Sequence, residues 1–152
     1  MEIQEITGFF KEELFVADLK GKTRDEVLDE LTEKFISGNF IKNHELVLDM
    51  LHRRESVGST GIGHGIAIPH GRTTAAPELT IAFGKSSAGI EWEALDGEPV
   101  HLVFLVIAPP YEENNHYLPT LGKLVEFLSK AENRDRLKAI DNFQDFISLF
   151  SQ

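Results

Sequence analysis

The chain contains no cysteine, which excludes disulfide bridges and thiolate chemistry. Basic residues are scarce: 15 Lys and Arg stand against 25 Asp and Glu, for a formal net charge of −10. That balance disfavours non-specific binding to nucleic acid or anionic membrane, and suits a partner with a basic docking face. No apolar run approaches the ~20 residues needed to cross a bilayer. The acidic start, Met1-Glu2-Ile3-Gln4-Glu5, has no signal-peptide character, so a cytoplasmic protein is expected. Internal repeats and low-complexity stretches are also missing. Metal-ligand spacing is not found either. His44 and His52 lie about 12 Å apart on one expected helix, and His64 with His70 does not match a zinc pattern. What remains is an ordinary globular composition, 152 residues with 41% hydrophobic, enough for one domain with a real core.

The pattern along the chain predicts alternating strands and helices. Leu14 to Ala17 reads as a first strand. Thr23 and Glu26 form a capping-box signature before a helix with Val27, Leu28, Leu31 and Phe35 on one face. Asn43 is expected to cap a second helix, with Leu46, Val47, Met50 and Leu51 inward, that delivers Arg53 and Arg54. Leu79 to Phe83 and, more weakly, Ile90 to Ala94 read as strands. Val100 to Ile107 is a near-continuous apolar run, as in a buried central strand. Pro119 confines the start of a long helix to Asn115–Tyr117, and Asp141 or Asn142 opens a last one. The expected fold class is α/β, a mixed β-sheet with helices packed on both faces in a single domain.

One loop stands out: Gly58-Ser59-Thr60-Gly61-Ile62-Gly63-His64-Gly65, followed by Ile66-Ala67-Ile68-Pro69-His70-Gly71-Arg72. Its glycines disfavour helix by about 1 kcal/mol each and let backbone N–H groups converge on an oxyanion. Pro69 holds Ile68 extended and presents His70 at a rigid turn. A fixed imidazole beside a glycine loop and a guanidinium has the chemistry to accept and hold a phosphoryl group.

Together with Arg54-Glu55 ahead of it, this run resembles the active-site loop of the type-2 (mannitol/fructose) IIA proteins of the phosphoenolpyruvate-dependent phosphotransferase system. It is most similar to the nitrogen-regulatory branch. Ile90-Glu91-Trp92, Asp96-Gly97, Pro99-Val100 and Leu102-Val103-Phe104-Leu105 extend the likeness, so that residues 1–152 are expected to form one such domain. The resemblance implies the same architecture. It also implies that His70 is the nucleophile, taking phosphate from an HPr-type phosphocarrier protein without metal or cofactor. The onward partner would be a IIB domain or a regulated target protein. The lack of cysteine excludes a fused IIB domain of the phosphocysteine kind.

The resemblance also nominates supporting groups. Arg54 matches the family's arginine ahead of the loop, with Arg53 and Arg72 in reserve. Ser59, Thr60, Gly61, Gly63, His64 and Gly71 are candidates for binding the phosphate. Ser59 and Thr60 could equally make only turn contacts, and His64 could be an exposed loop residue. The family's second histidine is replaced by Tyr117, with His116 one residue earlier. Either side chain could reach the phosphate, and His116 is favoured because imidazole can both donate a proton and carry charge near neutral pH. A nitrogen-regulatory phosphocarrier is the first functional reading, a fructose- or mannitol-type transport subunit the second. An interaction module that has lost phosphotransfer is the alternative from another class.

Overall fold

A computed structural model describes residues 1–151. A short 3-10 helix, Ile3–Phe9, leads into strand β1, Phe10–Val16. Helix α1 spans Arg24–Ser37. Its capping box forms as the sequence predicts: Thr23 Oγ1 accepts from Glu26 N, and the Glu26 carboxylate accepts from Thr23 N at 3.2 Å. The buried face carries Val27, Leu28, Leu31 and Phe35.

Helix α2, His44–Ser56, is capped by Asn43, whose side chain accepts from Leu46 N at 3.1 Å. Its buried residues are Val47, Leu51 and Glu55, four apart. Leu46, expected inward, is 43% exposed. It precedes Val47 by one step, and one residue turns a helix by about 100°.

The sheet holds six strands among the described residues, in the order β1-β5-β6-β3-β2, with β4 also paired to β6. Strands β2 (Gly61–Gly63), β3 (Ile66–Ala67) and β4 (His70–Arg72) come from the glycine loop and its sequel. β5 is Thr80–Ile90 and β6 is Val100–Ala108. β5 and β6 are antiparallel, and β1 runs parallel to β5. β3 and β4 run parallel to β6 in one continuous register, Ile66 opposite Leu102 and His70 opposite Val106. Pro69 interrupts the line between them, since it has no N–H for a ladder. The weaker strand expected over Ile90–Ala94 does not form separately. Ile90 ends β5, and Glu91 makes only an isolated bridge to Thr23.

β6 explains the long apolar run. Val103, Leu105 and Ile107 pack into one core with Leu31, Phe35, Val47 and Leu51 of α1 and α2. Leu102, Phe104 and Val106 point to a second core with α3 (Tyr117–Leu128), α4 (Ala131–Ala139) and α5 (Phe143–Phe150). A strand covered on both faces has no solvated side, so alternation in its sequence disappears. The second core is largely aromatic. Phe83 and Phe146 lie 4.6 Å apart by ring centroid, and Phe127 and Phe150 lie 4.5 Å apart. Helices therefore cover both faces of a mixed sheet. Among the described residues no helix is long and apolar enough to cross a membrane.

Candidate active site

His70 opens β4, and its ring is half-buried. Nδ1 lies 2.7 Å from the carbonyl oxygen of Ile68. A carbonyl can only accept, so Nδ1 carries the proton and Nε2 keeps its lone pair. Burial pushes the His70 pKa below the ordinary imidazole value. The bond to Ile68 opposes that shift, the positive charge of Arg54 adds to it, and the Glu55 carboxylate opposes it. The neutral imidazole thus presents one defined free nitrogen, Nε2.

Glu55 stands behind the loop. It is 6% exposed, and its Oε1 accepts from Thr60 N at 3.0 Å, Thr60 Oγ1 at 3.0 Å and Trp92 Nε1 at 3.1 Å. Its other oxygen accepts from Thr60 Oγ1 at 2.5 Å. The loop is therefore fastened to the C-terminal turn of α2 by a buried carboxylate. Sequence reading treated Glu55 only as part of a motif. The signal that could have found it is its place on the stripe Val47, Leu51, Glu55, where an acid at a buried position needs donors.

Arg54, beside Glu55, donates from Nη1 to Gly58 O at 2.8 Å. Its charge acts on both His70 and the Tyr117 hydroxyl. Arg53 points away and pairs with Asp49 at 2.9 Å. Arg72 lies with its guanidinium carbon 4.5 Å from the centre of the Tyr117 ring, a cation–π contact.

The structure brings together only part of the remaining set. Thr60 O accepts from Ile68 N at 3.0 Å, which pairs the segment holding Ser59 with the one that leads into His70. Ser59 Oγ already accepts from Gly61 N, and its hydroxyl proton remains available. The Thr60 hydroxyl is 3% exposed in residue terms and committed to Glu55, so it is not brought to the phosphate position. Among the loop N–H groups, those of Thr60, Gly61 and His64 are taken by Glu55, Ser59 and Asp96. Gly63 and His64 lie at the far tip of the hairpin, beside Asp96. Gly65 there pairs with His101, and extended chain at about 3.3 Å per residue carries them well over 10 Å from His70. Gly71 is a packing position, where a Cβ would sit 1.9 Å from Met50 Sδ.

Of the two residues offered for the second-histidine position, the structure sets Tyr117 beside His70 and His116 apart from it. Tyr117, the first residue of α3, has its ring 6.2 Å from the His70 ring and is 7% exposed. His116 lies at 5.5 Å from the Phe9 ring and faces a separate depression shared with Lys11, Glu78 and Glu112. No ring contact or hydrogen bond joins His116 to His70 among the described residues. The one-residue offset turns the side chain about 100° around the helix axis.

Residues 8–152 match the family described as "Phosphoenolpyruvate-dependent sugar phosphotransferase system, EIIA 2". The chain belongs to this family. It is 33% identical over 147 residues to the fructose-specific EIIABC component of Bacillus subtilis, covering 97% of this chain but 23% of that protein. The chain thus spans about a quarter of the length of that relative. A nitrogen regulatory protein of Bradyrhizobium diazoefficiens is 30% identical, with 96% of this chain and 94% of that one covered. Among solved structures, the nitrogen regulatory protein IIA-Ntr of Neisseria meningitidis superposes with a TM-score of 0.87 at 27% identity, covering 96% of this chain and 99% of that chain. EIIA domains of this family are phosphotransfer proteins, and the mixed sheet with helices on both faces is their fold.

Proposed function

We propose that this EIIA protein is a cytoplasmic phosphohistidine carrier, phosphorylated on Nε2 of His70 by an HPr-type phosphoprotein. The observation that carries the reading is the 2.7 Å contact between His70 Nδ1 and Ile68 O, which leaves Nε2 as the free nucleophile. In the transfer, the donor's P–N bond breaks and its electron pair returns to the donor imidazole. The lone pair of His70 Nε2 forms the new P–N bond. The Nδ1 proton stays in place, so the phosphorylated ring becomes cationic. Ile68 O and the charge of Glu55 both favour that cation. The loose transition state spreads negative charge over the equatorial oxygens, and the Arg54 guanidinium faces that charge. The excess of 25 acids over 15 bases suits a donor with a basic face.

Between regulatory and transport roles, we favour the nitrogen-regulatory one. Its support is the near-complete mutual coverage with proteins of that description. The second reading, a fructose-type IIA unit that passes phosphate to a IIB domain, is favoured by the identity to the Bacillus subtilis component. The experiment that tests the carrier reading itself incubates the protein with phosphoenolpyruvate, the general phosphotransferase enzyme and HPr-type protein. Acid-labile, base-stable label is expected on the wild type and lost in His70→Ala, whose far-UV circular dichroism should be unchanged. Undiminished label on His70→Ala overturns the assignment.

A further inference from the structure

We propose that the Tyr117 hydroxyl, with Arg72 braced against its ring, holds the phosphoryl oxygens on His70. The proposal rests on the phosphocarrier reading and adds to it the group that steadies the carried phosphate.

Four observations converge on this pair. The Tyr117 ring is wedged 6.2 Å from the imidazole and is almost wholly buried. Its backbone N–H is pinned by Glu112 Oε1 at 2.8 Å, which fixes the first turn of α3. Its hydroxyl makes no hydrogen bond to any described residue and is not sealed from solvent. The Arg72 guanidinium lies 4.5 Å from the ring centre, and among the described residues no carboxylate pairs with it. The phenol therefore has a free donor and the guanidinium has unspent charge, and the ring that joins them lies beside the His70 imidazole.

The chemistry is donation without proton loss. Burial pushes the Tyr117 pKa up, against the pull of Arg72 and Arg54. The hydroxyl stays protonated and donates to a phosphoryl oxygen, while no bond to tyrosine forms or breaks.

A histidine in this position would titrate near pH 6.5 and change its charge within the physiological range. Tyrosine would not. The groups that face the hydroxyl are His70 and Arg72 from β4 and Arg54 from α2, with Glu55 behind the imidazole. The phenol keeps one charge state across the neutral range, whereas the phosphorylated ring still carries its proton on Nδ1.

The test uses two sources of phosphate on the full chain. Phosphoramidate phosphorylates imidazole directly, with no donor protein, and His70→Ala sets the background. Tyr117→Phe keeps the ring and its stack with Arg72 and should still be phosphorylated on His70. Its phospho-His70 should decay, and accept phosphate from HPr-type donor, at rates altered roughly tenfold to a hundredfold, the order for losing one hydrogen bond to a charged group. Tyr111→Phe, an exposed tyrosine, should match the wild type. Tyr117→His, whose imidazole changes charge near pH 6.5, should add a pH-dependent step to the ratio of variant to wild-type lifetime that Tyr117→Phe lacks. Arg72→Met should slow transfer and raise the pH at which the phenolate absorbance of Tyr117 appears. Wild-type lifetime and transfer rate in Tyr117→Phe overturn the proposal, as does a loss confined to His116→Ala. Failure of HPr-type protein to label the wild type, with phosphoramidate labelling intact, overturns the carrier reading instead.

Discussion

The Glu55 carboxylate accepts a 3.1 Å hydrogen bond from the indole Nε1 of Trp92, 37 residues away in sequence. Trp92 is fully buried and is the only tryptophan of the chain, so its fluorescence reports on the carboxylate that fastens the glycine loop. Glu55→Ala should strand the N–H groups of Trp92 and Thr60 inside the protein. We expect a loss of about 3–5 kcal/mol in urea unfolding, the range for breaking a buried charged network, with a shift in Trp92 emission. Glu55→Gln should keep the indole bond and cost about 1–2 kcal/mol. It also removes a charge that raises the His70 pKa, so an NMR titration should find His70 depressed further.

Arg54 has two tasks, tethering Gly58 O and supplying charge to the site. Arg54→Ala should slow transfer to His70 by about 10–100-fold while leaving the residue phosphorylatable, as for loss of one donor to developing negative charge. Arg54→Lys should recover part of that rate. Wild-type kinetics in Arg54→Ala would make it a loop tether alone.

Burial, as the leading cause, depresses the His70 pKa. Phosphate acceptance should therefore persist below the ordinary imidazole pKa of about 6.5 and fall only at lower pH. The sign for stability follows from the same shift. Below about pH 6.5 the unfolded chain binds a proton that folded His70 resists. Stability from this group is thus lost as pH falls from about 6.5 toward the lower folded value. Urea midpoints taken on either side of that window should drop less in His70→Ala than in the wild type.

Two glycines should respond in opposite directions. At Gly61 a Cβ would lie 2.7 Å from Ala94 Cβ and 2.9 Å from Ala94 Cα. Gly61→Ala should cost about 1–3 kcal/mol, the usual penalty of overpacking, because backbone cannot step aside as a side-chain tip can. It should also loosen the bond from Leu95 N to Gly61 O, now 2.8 Å. Gly122, exposed on α3, meets nothing within 4 Å. Gly122→Ala should stabilise by about 0.5–1 kcal/mol. Thermal unfolding checks both.

Much of the scaffold was legible because it is written in local chemistry. The box of Thr23 with Glu26, the Asn43 cap and the apolar run of β6 each carry their own signal. β5 was read only as far as Phe83, since Lys85, Ser86 and Ser87 break its pattern while neighbouring strands still hold the backbone. Helix α4 went unread because it buries only Leu137 and has almost no apolar face to detect. At the site, His70 and Arg54 were nominated by the length of the motif. His116 against Tyr117 could not be decided from spacing, because it turns on one 100° step at a helix start. The capture of the loop N–H groups by Glu55 and Asp96 was equally invisible, since Asp96 lies 32 residues from His64.

The break in the strand at Pro69 has a consequence for how mutation can reach the chemistry. In an unbroken ladder the backbone oxygens are spent on neighbouring strands. Here the Ile68 oxygen takes no backbone N–H among the described residues and holds the imidazole proton instead. The choice of ring nitrogen is therefore made by main chain, which every residue type at position 68 supplies alike. Side-chain variation there leaves the tautomer untouched. Drift in the sequence can alter the side chains around the ring, Tyr117, Arg72 and Arg54, far more readily than it can alter which ring nitrogen keeps its lone pair.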